Sequence, residues 1–241
     1  MNRKKMKIMK PYWIIILAAG ILSQTAIAQP TCDKDDILYS DNFEDDLSNW
    51  VVEQGEGGTA KIIDGQLDIV DEKGCTIWFR HKLKSPVMIE YEATMVDKGG
   101  KRDRVSDLNC FWMAIDPEHP ENIFADKSRG GRFPNYHPLR LYYVGYGGND
   151  NSTTRFRRYP GGGERPMLPG HDLRDPEYML EGNKTVKIQI VSDGGKIQYW
   201  RDGEIIYDFK DDNPYLEGWF AFRTVRSHLK LDNFKVYRLE E

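Results

Sequence analysis

Apolar and polar residues alternate in short runs along most of this chain, and Gly- and Asp-rich turns separate the runs. Residues 59–70 read as two strands folded around Asp64-Gly65, with Leu67 and Ile69 alternating against Gln66 and Asp68. Residues 76–81, 87–96 and 108–115 follow as strands, divided by Gly, Pro and charged turns. Residues 184–191 alternate; Asp193-Gly194-Gly195 then turns the chain into 196–201, and Asp202-Gly203 turns it again into 204–209. This predicts three successive antiparallel strands, and 219–225 and 229–239 close the chain. No segment sustains a helical period, so helix is limited to short turns near Glu121 or Asp175. Many strands without helices predict an all-β fold, a sandwich of two antiparallel sheets. The repeated words Ser40-Asp41-Asn42-Phe43 and Leu231-Asp232-Asn233-Phe234 predict that the first and last strands are neighbours. Residues 116–140 and 160–175 are loops too long for hairpins, and function is the usual reason for such length.

The ends and the charge narrow the picture. Arg3, Lys4, Lys5, Lys7 and Lys10 precede a short apolar run, and Ala26-Ile27-Ala28 is a small-x-small cleavage site. Residues 1–28 are therefore expected to be a signal peptide, leaving one domain over 29–241, exported to the periplasm or the medium. The apolar run is too short to span a membrane and no later run could, so no membrane anchor is expected after cleavage. Loss of the leader takes the formal net charge from −4 to about −9. Nucleic acid is a poor partner for so acidic a chain. Of Cys32, Cys75 and Cys110, the first two are the expected partners if a disulfide forms, and Cys110 reads as a buried thiol. No metal-binding His/Cys cluster, nucleotide loop or Gly-x-Ser-x-Gly elbow is present, and no cofactor is expected. The Asp and Asn oxygens of the two repeated words leave room for a structural calcium, although turn formation is their more ordinary use.

Residues 129–159 depart from this acidic background. They hold six arginines, no lysine, seven aromatics and His137, against one acid, Asp150. Guanidinium groups donate paired hydrogen bonds to carboxylates or sulfates, and aromatic faces suit the apolar edges of sugar rings. The expected partner is an acidic oligo- or polysaccharide.

Particular words in the chain resemble a known family. They are RVSDLNCFWMAIDP from Arg104 to Pro117, YYVGYGGN from Tyr142 to Asn149, TRFRRY from Thr154 to Tyr159, and Phe222-Arg223-Thr224 with Ser227-His228. Through them the whole mature chain resembles the YesU-like bacterial proteins of unassigned activity, and more broadly the concanavalin A-like lectin/glucanase superfamily. That resemblance implies a jelly-roll β-sandwich and a context of pectin use, especially rhamnogalacturonan breakdown. It implies no mechanism, because one fold hosts lectins, hydrolases and lyases.

Strand alternation sorts the candidates. If Phe220 and Phe222 face the core, Trp219, Ala221 and Arg223 face a groove; Arg155, Arg157 and Tyr159 share one face opposite Phe156. Asp107, Asn109, Phe111 and Met113 share another, opposite Leu108, Cys110 and Trp112. An Arg, Tyr, His and Asn set suits β-elimination of a uronate: arginine neutralises the carboxylate, a base takes the C5 proton, and an acid protonates the departing oxygen. His137 is the leading base and His228 the second; Tyr142 or Tyr146 serves as acid or base. Arg104, Arg155, Arg157 and Arg223 are the clamps, and Asp107, Asn109, Tyr159 and Trp219 complete the binding set. A glycoside hydrolase needs two carboxyl groups across the bond. Asp107, Asp116, Glu118, Glu90 and Glu92 are the candidates for that alternative, with Asp107 favoured. A binding module without catalysis is the third reading.

Overall fold

The structure, a computed structural model, describes residues 28–240. Apart from its last residue, the expected signal peptide lies outside the described residues. The strands are β1 (Ile37–Asp41), β2 (Trp50–Gln54), β3 (Thr59–Ile63), β4 (Gln66–Val70), β5 (Cys75–Phe79), β6 (Leu83–Lys84), β7 (Val87–Met95) and β8 (Leu108–Ile115). They continue as β9 (Arg140–Gly147), the short turn α1 (Gly148–Asn151), β10 (Thr153–Pro160) and β11 (Asp172–Leu173). β12 (Thr185–Asp193), β13 (Lys196–Arg201), β14 (Glu204–Lys210), β15 (Glu217–Thr224) and β16 (His228–Arg238) complete the chain. The predicted run of three antiparallel strands is β12–β14. Single-turn helices sit at Phe133–Tyr136 and Pro176–Tyr178; the second was expected, and Glu121 lies in a turn.

One sheet runs β14-β13-β12-β7-β16-β4-β3, with β1 on β16; the other runs β11-β10-β9-β8-β15-β5-β2, with β6 on β15. All pairings are antiparallel, so the two-sheet sandwich stands. The first and last strands are neighbours, Asp41 opposite Phe234. Asp41 uses its carboxylate locally, accepting from Phe43 N at 2.9 Å, Asn49 Nδ2 at 3.1 Å and Trp50 Nε1 at 2.9 Å.

Alternation works because each inner face is dry. Phe220, Phe222, Phe156, Leu108, Cys110 and Trp112 lie between the sheets with Tyr91, Ile188, Leu231 and Phe234 from the opposite sheet. Two expectations fail here. Met113 was placed on the groove face, but it is buried in the inter-sheet core. Its φ of +48° and the register slip between Trp112 and Ile115 mark a bulge, whose extra residue reverses the alternation beyond it. The Cys32–Cys75 bridge is also absent: Cys75 lies in the core, whereas Cys32 packs beside Met88, Val191 and Tyr237 on the outer side of the other sheet.

Candidate functional site

The outer face of the β8–β10 sheet carries two rows of side chains that cross its strands. Antiparallel register aligns Glu53, Thr76, Arg223, Asn109, Gly145, Arg155 and Asp172, one from each strand. The neighbouring row is Val51, Trp78, Ala221, Phe111, Tyr143 and Arg157. One row is polar and the other mostly aromatic, as the period of two requires.

The 116–140 loop covers the β2, β5 and β15 end of both rows. Ile123, Tyr136 and Leu139 pack on Trp78, Phe111 and Ala221 in a second apolar cluster, with Phe133 at its edge. Arg129, 1% exposed, fastens the loop. It donates to Glu53 at 2.9 Å, lies 3.5 Å from an Asp116 oxygen, and bonds the Ile123 carbonyl. Glu53 also accepts from Tyr136 Oη at 2.6 Å and Trp78 Nε1 at 3.1 Å. At Gly131 the loop backbone meets the Gly74 turn so closely that a Cβ there would lie 2.0 Å from the Gly74 carbonyl.

Beyond this cover lies a cleft of about 320 Å³, lined by Asp107, Phe133, Tyr143, Gly145, Gly148, Asn149, Thr153, Arg155, Arg157 and Arg165. Gly145 forms its floor, because a Cβ there would come within 2.3 Å of the Tyr143 hydroxyl, which lies over it. α1 closes one end with left-handed Asn149, Asp150 and Asn151, a conformation that Asn and Asp tolerate best among residues with a Cβ.

Three guanidinium groups and one carboxylate line the cleft. Asp107 is already engaged by Arg104 at 2.6 Å and Ser106 Oγ at 2.8 Å. Arg155 grips Asp172 with two bonds of 2.9 and 3.2 Å, but Asp172 is shared with Arg174 at 2.8 Å, so one carboxylate faces two cations. Arg155 holds the Asp172 carboxyl below its ordinary pKa. Among the described residues no carboxylate lies within 4.0 Å of Arg157, Arg165 or Arg223. Arg157 bonds the Arg165 carbonyl, and Arg165 stacks on Phe133 at 5.7 Å. Burial lowers the Arg157 pKa.

The structure brings Asp107, Arg155 and Arg157 to this cleft, as alternation required, and places the other candidates elsewhere. Arg223, Asn109 and Tyr159 share the face but lie beneath the loop, at 2%, 3% and 0% exposure. Arg223 donates to Thr76 Oγ1 at 2.8 Å and the Gly131 carbonyl at 2.9 Å, under Phe133 and Tyr136, so it cannot grip a ligand directly. Trp219 is covered by Phe124 and Lys82 and offers no sugar platform. His137 packs edge-on against Phe133 at 5.0 Å, with its Nε2 buried and unpartnered. Burial first, then Arg165, Arg223 and Arg157, lowers its pKa and favours the neutral ring, but it is not among the residues that line the cleft.

Tyr142 and Tyr146 face the inter-sheet core rather than the site. Tyr142 Oη donates to Asp211 at 2.6 Å, and Tyr146 Oη bonds Arg201 and the Met179 carbonyl. Arg104 ties Asp107 to Asp150 and serves the rim as scaffold. His228 lies on the other sheet, between Asp103 at 2.8 Å and Asp68 at 3.1 Å. Of the other acids, Glu90 sits on that sheet's outer face beside Gln189, and Asp116 belongs to the Arg129 anchor.

Tyr143, Asn149, Thr153 and Arg165 were not singled out from the sequence. β9 is buried on both faces, so periodicity could not choose between Tyr142 and Tyr143, and Arg165 comes from an aperiodic glycine-rich loop. Burial raises the Tyr143 pKa, while Arg223 opposes the rise.

Comparison with known proteins supports the architecture. A Bacillus subtilis protein of unknown function with a galectin-like fold is 17% identical, aligned over 84% of this chain and 96% of its own, with a TM-score of 0.65. The carbohydrate-binding module CBM66 from Bacillus subtilis is 12% identical over 79% of this chain and 96% of its own, at 0.53. An endo-β-1,3-glucanase from Pyrococcus furiosus is 13% identical over 85% and 95%, at 0.54. At such identities the likeness shows the fold, the concanavalin A-like jelly roll. No curated protein matches the sequence. A family model described as "Domain of unknown function (DUF6250)" matches residues 69–234, and the chain belongs to that family.

Proposed function

We propose that the cleft binds an acidic saccharide, of the pectin or rhamnogalacturonan type suggested by the YesU-like resemblance, and that the exported protein cleaves it by β-elimination. The observation that carries this reading is the convergence of Arg155, Arg157 and Arg165 on a cleft whose one lining carboxylate is already neutralised by Arg104. A site built this way attracts an anion and lacks the two free carboxyl groups that glycoside hydrolysis requires. Fold neighbours that include a carbohydrate-binding module and a glucanase are consistent with a sugar ligand.

In this reaction Arg155 and Arg157 neutralise the uronate carboxylate, so that charge developing on it as the C5–H bond breaks is held by guanidinium groups. Tyr143 stands opposite Arg157 in register and takes the role first assigned to Tyr142. Its oxygen takes the C5 proton, the C5–H electrons form the C4–C5 double bond, and the C4–O bond breaks. The same phenol then returns its proton to the departing O4. The raised Tyr143 pKa makes the phenolate scarce at neutral pH, so the rate should climb steadily on the alkaline side.

Purified protein incubated with galacturonate-containing glycans should release products with an unsaturated ring. Tyr143→Phe should lower turnover by about a hundred- to ten-thousandfold, with binding retained. Arg157→Lys should weaken binding, because a point charge cannot reproduce the fork. A rate that levels off above the ordinary histidine range would return the proton transfer to His137. New reducing ends without unsaturation would indicate hydrolysis, and binding without cleavage would indicate a binding module.

A further inference from the structure

We infer that this cleft recognises the end of a saccharide chain, or a short oligosaccharide, and not an internal stretch of a polymer. The inference rests on the acidic-saccharide reading and concerns how that ligand is seated. An open sandwich face would let a chain run across all the strands. Here the path along the polar row is interrupted at Arg223, over which Phe133 and Tyr136 stack with their ring centres 4.7 and 5.0 Å away.

The surface opens again past the loop, in a separate hollow of about 640 Å³ that includes Val51, Val52, Arg80, Phe124 and Gly130. The obstruction is a fixed wall. Tyr136 Oη is held by Glu53 at 2.6 Å and by the Gly131 amide at 3.1 Å, and Arg129 is buried in the carboxylates behind it. The left-handed α1 turn closes the cleft along the strands, and Arg165, leaning on Phe133, narrows the opposite side. The cleft's 320 Å³ is at the lower end of ligand pockets, which run from roughly 300 to 1,000 Å³, and suits about one or two sugar rings.

Calorimetry with galacturonate oligomers of increasing length, from the monomer to the hexamer, tests this on the intact mature protein. Affinity should rise to the dimer and then level off, changing by less than about threefold with further length. A continuous groove would instead add on the order of tenfold for each further ring that makes contact. Phe133→Ala, which lowers the wall without touching the buried anchor, should restore a dependence on length. A steady climb in affinity through the hexamer for the unaltered protein would overturn the blocked cleft while leaving the acidic-saccharide reading intact. Absence of heat with every acidic oligomer, alongside binding of a neutral one, would overturn that reading and this inference with it.

Discussion

Arg129 and Arg223 are both buried guanidinium groups on the same sheet face, yet their replacement should have opposite consequences. Arg129 sits among Glu53, Asp116 and Asp126, with its closest acid oxygen at 2.9 Å. Arg129→Met would leave Glu53 buried with only Tyr136 and Trp78 as donors. Breaking such a pair costs about 3–5 kcal/mol. For a protein of this size that is a fall in Tm of roughly 6–20 °C, at about 2–4 °C per kcal/mol. Arg223 has hydrogen bonds only to Thr76 and Gly131, with no carboxylate in reach, and burial lowers its pKa. Arg223→Met would take the donor from both the Gly131 carbonyl and the buried Thr76 hydroxyl, at about 1–3 kcal/mol for a group left unpaired. It would also relieve the desolvation of an unpaired cation, worth several kcal/mol, and a methionine sulfur would keep about 0.3–1.5 kcal/mol of contact with the Phe133 and Tyr136 rings. These opposing terms offset one another in large part, so Arg223→Met should cost clearly less stability than Arg129→Met.

Binding should show the reverse order. Removing the Arg223 charge beneath the cleft should weaken an acidic ligand on the order of tenfold, whereas Arg129→Met should act on binding only through loosening of the loop. Urea unfolding followed by tryptophan fluorescence gives both stabilities at comparable m-values, and calorimetry gives the affinities. Adding Glu53→Gln to Arg129→Met should recover part of the loss, since the orphaned charge goes with it. If Arg223→Met destabilises as much as Arg129→Met and leaves binding untouched, Arg223 is scaffold and the electrostatic reasoning for the cleft is wrong.

Other outcomes follow from the same geometry. Gly145→Ala should displace the Tyr143 ring, because the new methyl carbon would meet its hydroxyl at 2.3 Å; loss of ligand binding with an unchanged circular dichroism spectrum is expected, and unchanged affinity would show that the cleft floor is not used. His137 and His171 both have pKa values lowered by burial. Their contribution to stability is therefore complete above the ordinary histidine value of about 6.5 and is lost as pH falls through the lowered folded values. The urea midpoint should drop in that window, before Asp172 and Asp211, whose folded pKa values are also lowered, begin to protonate; a midpoint flat down to the carboxylate range would contradict it. Affinity for an acidic oligosaccharide should fall as salt rises, since the exposed Arg165 is screened; salt-independent binding would point to a neutral sugar.

The local pattern of the chain decided much of this molecule. Alternation with a period of two, punctuated by Asp-Gly turns, gave the β3–β4 hairpin and β12–β14, and it placed Arg155 and Arg157 together on the face opposite Phe156. These are properties of a pleated strand and need no partner to be read. Where both faces of a strand are buried the signal vanishes, which is why Tyr143 could not be told from Tyr142 on β9. A single bulge at Met113, seen in the register with both β9 and β15, reverses the faces beyond it. The fate of Arg223, Trp219, Asn109 and Tyr159 was settled by the 116–140 loop, which folds back over their face and has no period of its own. Only the tertiary structure shows that Glu53 and Arg129, 76 residues apart, hold that loop in place. The sequence could place guanidinium groups on one face; which of them would meet a carboxylate, and which would stay free for a ligand, depended on contacts between distant segments.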